Sequence, residues 1–174
     1  MRSRILIAAT VVSTTISQAQ SVEQKLIAQG SLDSADVSAL TVFDTLAYRL
    51  DFGTVSVDTT VLLSNSILYS IIMIGDVTGV NALFYLMSFD RGGERPIDLV
   101  YLHDAPDIEQ SLKRYRWVEH GVWRTGEIGT IEYDCRVTRP GSLRERASMQ
   151  AHGRRFWRVG PGGRITGGEL VKEQ

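Results

Sequence analysis

Apolar positions recur at two different periods along this chain, and the change falls near Pro96. Val37, Leu40, Phe43, Ala47 and Leu50 follow one another at spacings of three and four, which predicts a helix of about four turns over Asp36 to Leu50 with one buried stripe. Asp33 or Ser34 stands where an N-cap is needed, and Gly53 stops the run. Ahead of it, Val22 to Gln29 reads as a short lead-in helix ended by Gly30. Val57 to Leu63 reads as a second short helix and Ser66 to Ile74 as a buried strand. Thr78 is placed to cap a third helix with Val80, Leu83, Phe84 and Met87 inward, ended by Arg91-Gly92-Gly93.

From Pro96 the period becomes two. Ile97, Leu99, Tyr101 and His103 share one face of a predicted strand. Further strands are expected at Leu112 to Val122, Ile128 to Thr138, Leu143 to Ala151 and Arg155 to Val159. In Ile128 to Thr138 the apolar face is Ile131, Tyr133, Cys135 and Val137, with Glu132, Asp134 and Arg136 opposite. Pro140-Gly141 and Pro161-Gly162-Gly163 supply turns between antiparallel neighbours. Helices first and a strand meander afterwards predict an α+β domain and argue against a parallel βαβ sheet.

Composition changes this picture little. A chain of 174 residues, 43% hydrophobic and 22% charged, has the make-up of one ordinary globular domain. The net charge of −1 spreads over both signs, so no basic face points to nucleic acid. Cys135 is the only cysteine, which excludes an internal disulfide and a cysteine-based zinc cluster. At the N-terminus Arg2 and Arg4 precede the apolar run Ile5 to Val12, and Ser17-Gln18-Ala19 places small residues where a signal peptidase cuts. Residues 1–19 are therefore expected to be an export signal and residues 20–174 a periplasmic or secreted domain; an uncleaved N-terminal helix on a cytoplasmic protein is the alternative. Val61 to Val77 is too interrupted by polar residues to span a bilayer.

The stretch Leu46-Ala47-Tyr48-Arg49-Leu50-Asp51-Phe52-Gly53, followed by an apolar segment and Ser66-Ile67-Leu68-Tyr69, resembles the opening of SnoaL-like domains in the NTF2-like superfamily. Arg155-Phe156-Trp157-Arg158-Val159 with its Gly-rich turn is similar to the last hairpin of those domains. The resemblance implies a cone-shaped half-barrel, a curved antiparallel sheet wrapped around N-terminal helices and an internal apolar pocket. In the scytalone dehydratase-like and dehydrochlorinase-like members an aspartate orients a histidine. Asp51 and His103 stand at those places, and Tyr69 stands near that of a pocket tyrosine.

A carboxylate accepting from one imidazole nitrogen leaves the other as a base, and such a pair supplies general acid–base catalysis worth about 10²–10⁴-fold. The expected activity is thus a cofactor-independent lyase or isomerase acting on a small apolar or cyclic molecule. His103 would be the base, Asp51 its orienter and Tyr69 a hydrogen-bond donor, with Tyr48, Tyr101, Trp117 and Tyr133 lining the pocket and no metal. His103, His120 and His152 are too scattered in sequence for a local metal motif, and His120 beside Gly121 reads as an exposed turn residue. No phosphate loop or Gly-x-Ser-x-Gly elbow occurs. The competing expectation is a non-catalytic exported module that binds a small apolar ligand or forms a homodimer through its sheet face, with Arg114, Arg116, Ile128 and Glu132 contributing.

Overall fold

The computed structural model describes residues 20–40, 54–75, 82–104, 114–137 and 147–172. Two short helices, α1 (Val22–Ile27) and α2 (Ser34–Leu40), flank the two-residue strand β1 (Ser31–Leu32). Eight longer strands follow: β2 (Thr54–Leu62), β3 (Ile67–Gly75), β4 (Leu83–Asp90), β5 (Arg95–Asp104), β6 (Arg114–Arg124), β7 (Glu127–Val137), β8 (Ala147–Val159) and β9 (Ile165–Lys172). Among the described residues every pairing is antiparallel between sequence neighbours, giving a first sheet β1-β2-β3-β4-β5 and a second sheet β6-β7-β8-β9.

The α+β half-barrel of the NTF2-like pattern is not what forms: the described chain is two meander sheets with two short helices. The segment expected as a second helix is strand β2, because Val55, Val57, Thr59, Thr60 and Val61 are β-branched and favour a pleated surface over a helical turn. The expected third helix is in part strand β4. Its Tyr85 to Phe89 are all buried, and in a strand covered on both faces a helical spacing of apolar residues carries no information. Thr78 and Val80 lie outside the described residues. Of the long helix expected over Asp36 to Leu50, α2 accounts for the part to Leu40, and the remainder lies outside the described residues. From Ala147 on, the strands expected at Leu143 to Ala151 and Arg155 to Val159 are one strand, β8, and residues 143–146 lie outside the described residues. The lead-in helix, the buried strand after Ser66 and the strand leading to His103 form at α1, β3 and β5.

Two apolar clusters explain why the first sheet is covered twice. On one face Leu26 of α1 and Val37 and Leu40 of α2 pack on Val55, Leu68, Ile72, Tyr85, Met87 and Phe89. Burying each such side chain fully contributes about 1.5–3 kcal/mol. On the other face Tyr69, Ile71, Leu86 and Leu102 meet Ile128, Trp157, Val159 and Ile165 of the second sheet. The layers are thus short helices, first sheet, second sheet. Two hydrogen bonds cross between the sheets beside this second cluster: Gly126 N–H donates to Tyr69 Oη at 3.0 Å, and Ile165 N–H donates to Asp98 Oδ2 at 2.8 Å.

In β7 the alternation expected from sequence is present, but from Ile128 to Tyr133 the core lies on the opposite face; beyond it the expected sides hold, with Cys135 buried and Asp134 exposed. Ile128, Thr130 and Glu132 point toward the first sheet and are buried, whereas Ile131 and Tyr133 are half-buried on the outer side. The inward Glu132 is tolerated because Arg155 Nε donates to its Oε1 at 2.8 Å and Arg116 stands 3.8 Å from its other oxygen. Among the described residues no helix is long and apolar enough to cross a membrane.

Candidate functional site

Two β-bulges in the first sheet aim polar side chains at one residue of the second. The β4–β5 register moves from Tyr85↔Tyr101 to Phe84↔His103, leaving Leu102 as the extra residue. A bulge of this kind turns the strand locally, so Leu102 and His103 are both buried between the sheets while Tyr101 is 48% exposed. The β2–β3 register shifts likewise between Val57 and Thr59, with Asp58 as the extra residue. Thr59 Oγ1 donates to Asp58 Oδ2 at 2.9 Å.

Between these two stands His120 of β6, on the inner face beside Thr130. Its Nδ1 lies 2.7 Å from His103 Nε2, and its Nε2 lies 3.3 Å from Asp58 Oδ2. The chain ends at His103 Nδ1, 2.8 Å from the Asp104 carbonyl. A carbonyl oxygen only accepts, so His103 carries a proton on Nδ1, and a neutral His103 offers Nε2 as the acceptor for His120 Nδ1–H. Phe84 stacks on His103 with ring centroids 4.6 Å apart and 20° between planes, and contacts His120 at the same centroid distance. His103 is only 7% exposed. Burial pushes its pKa below the ordinary 6.5, with the neighbouring His120 lowering it further and the Asp104 carbonyl, Asp104 and Glu132 opposing.

A different arrangement occupies the outer face of the second sheet. Gly129 of β7 lies between Gly121 of β6 and Phe156 of β8. With no side chain on Gly129, the Trp123 and Phe156 rings approach across it, edge to face at 5.5 Å and 89°. Arg154 holds its guanidinium 5.9 Å from the Trp123 ring centroid. Trp123 remains 54% exposed, and a Cβ on Gly121 would meet nothing within 4 Å. At the end of this face Glu127 pairs with Arg124 and lies 3.7 Å from Arg158. The Arg124 pairing holds the Glu127 carboxyl below its usual range.

No family model, curated protein or solved structure matches the chain. Its site therefore rests on its own residues.

Of the predicted catalytic set, Asp51 lies outside the described residues, as does Tyr48. His103 is paired instead with His120 and, through it, with Asp58. Tyr69 does not join them. It sits opposite Ser88 while His103 sits opposite Phe84, four residues apart along β4, or about 13 Å at strand rise. Its hydroxyl is buried, accepts from Gly126 and has a raised pKa because burial disfavours the phenolate. Tyr101 makes an edge contact with Tyr85 at 5.7 Å on the face away from His103. Trp117 and Tyr133 are cross-strand partners on the outer side of the second sheet, half-buried, with the Trp117 indole N–H buried and lacking a partner among the described residues. Ile128 is fully buried and Glu132 nearly so, which removes both from any sheet-face contact with a second copy. Among the described residues no cluster of His, Cys, Asp and Glu could hold a metal ion.

Sequence reasoning missed His120 and Asp58. The only local signal was polarity out of place: an aspartate inside the β-branched run of β2, and a histidine inside the aromatic strand β6. Their partnership spans 62 positions and exists only in the fold.

Proposed function

We propose that this chain is a non-catalytic binding module that holds a small, flat, acid-bearing apolar molecule on the outer face of its second sheet. The observation that carries the reading is the exposed Trp123 ring, fixed by Phe156 and Arg154 beside the bare backbone of Gly121. An indole held in one orientation offers stacking area at little entropic cost. Arg124, Arg154 and Arg158 outnumber Glu119 and Glu127 on that face and favour a negative substituent on the ligand. An acid–base lyase or isomerase reading finds less support, since both ring nitrogens of His103 are engaged by protein groups and neither is left to take a substrate proton. Export directed by residues 1–19 belongs to the proposal, and places the module where it would meet ligands outside the cytoplasm.

Calorimetric titration with 2-naphthoate tests it. Saturable binding is expected, lost in Trp123→Ala and weakened about fivefold in Arg154→Ala, in keeping with the loss of one partly exposed charge contact. Binding that survives Trp123→Ala, or that is equally tight for 2-naphthalenemethanol, would remove the aromatic or the electrostatic half of the proposal. A second copy of the chain is the competing occupant of this face. Sedimentation that shows a dimer dispersed by Trp123→Ala would assign the surface to self-association.

A further inference from the structure

His103 and His120 meet in the gap between the two sheets, and the proton count of the pair decides whether they attract or repel. With two protons, His103 Nδ1–H donates to the Asp104 carbonyl and His120 Nδ1–H donates to His103 Nε2 across 2.7 Å. A third proton has a prepared place on His120 Nε2, facing Asp58 Oδ2 at 3.3 Å, and leaves the bond between the rings intact. A fourth can go only to His103 Nε2. It would then point at the Nδ1–H of a second imidazolium, with neither nitrogen able to accept.

We propose that His103 and His120 form an acid-released latch between the two sheets, closed while the pair holds two or three protons and opened by the fourth. The groups around the pair offset that fourth charge only in part. Asp58, from β2, lies beyond the far nitrogen of His120, and its side chain is 46% exposed. Asp104, from β5, offers its carbonyl to Nδ1, and its carboxylate is on an exposed residue. Glu132, from β7, is held by Arg155 of β8 and lies near Arg116 of β6. Thr130 of β7 and Phe84 of β4 are uncharged.

The direction with pH follows from burial. His103 titrates below 6.5 in the folded chain and near 6.5 when unfolded, so between those values the unfolded chain binds more protons. The latch therefore contributes its full stability above 6.5 and loses it as the pH falls through the folded pKa. Opening is local. The row containing Tyr69 and Asp98, about 13 Å along the strands, keeps its two hydrogen bonds and the apolar cluster between the sheets. The sheets would part around β5 and β6 and stay joined near Gly126 and Ile165.

Long-range ¹⁵N–¹H correlation of the full chain, followed from pH 8 to 4 alongside amide exchange, tests this. Expected are an Nδ1-protonated His103 at pH 8, its protonation below 6.5, and amide exchange in β5 and β6 that rises about tenfold or more, beyond the intrinsic pH effect, in step with that protonation. Exchange near Ser88 should not follow it. His120→Gln should abolish the acid-triggered rise, because a side-chain amide can donate to neutral His103 or turn its oxygen to accept from the charged form. An Nε2-protonated His103 at pH 8, titration at or above 6.5, or exchange indifferent to that titration would overturn the latch. The wild-type measurement decides the matter even if His120→Gln does not fold.

Discussion

At the scale of single residues, polar atoms buried between apolar layers carry the position-specific information. Tyr69 was expected in a pocket, and its hydroxyl instead accepts the Gly126 N–H at the turn between β6 and β7. Tyr69→Phe would leave that buried N–H without a partner and should cost about 1–3 kcal/mol, read as a lower urea midpoint with an unchanged slope. Gly167 has φ of 105°, and a Cβ there would overlap the Phe156 carbonyl, so the β8–β9 pairing depends on a residue without a side chain. His103 was legible as a residue of interest, being a histidine at the end of an apolar strand. Its partner was not, since hydrogen-bond geometry depends on positions far apart in the chain.

At the scale of elements, bulges and caps decide orientation. The period-two rule placed His103 on the face of Tyr101, and the extra residue Leu102 reverses that assignment. No composition rule announces such a bulge, because it arises from how two strands accommodate each other. The start of α2 was more legible. Asp33 Oδ1 accepts from the Ala35 and Asp36 amides, as its place before the helix predicts. Lys25 of α1 donates to Asp33 at 2.9 Å and to Asp36 at 2.6 Å, tying the two helices together. The Lys25 bond, with the backbone bonds, holds the Asp33 carboxyl at about 2, down from 3.8. A lowered carboxylate pKa means that this tie is complete above 3.8 and is lost as the pH falls toward 2. Exchange of the α1 and α2 amides should accelerate over that range in the wild type, and Asp33→Asn should flatten the dependence.

At the scale of the whole molecule, the two sheets are held together by an apolar cluster, two hydrogen bonds beside it and the histidine pair some distance along the strands. Asp98→Ala removes the acceptor for Ile165 N–H and should cost about 1–2 kcal/mol, with faster exchange in β9 and little change in β3. The sequence alone established a chain with the composition of one domain, the lead-in helix, the buried strand after Ser66 and most of the strands after Pro96. Those properties follow from local periodicity, turn residues and composition. Tertiary structure alone decided that Leu83–Asp90 is a strand rather than a helix, because a strand buried on both faces shows no alternation to read, whereas the β-branched run of Thr54–Leu62 was a local signal for a strand. It also decided which face of β7 turns inward, since a buried Glu132 is acceptable only once Arg155 is beside it. The joining of Asp58, His120 and His103 belongs to the same class: a hydrogen-bonded chain drawn from three strands and two sheets is a property of their packing, and no stretch of sequence contains it.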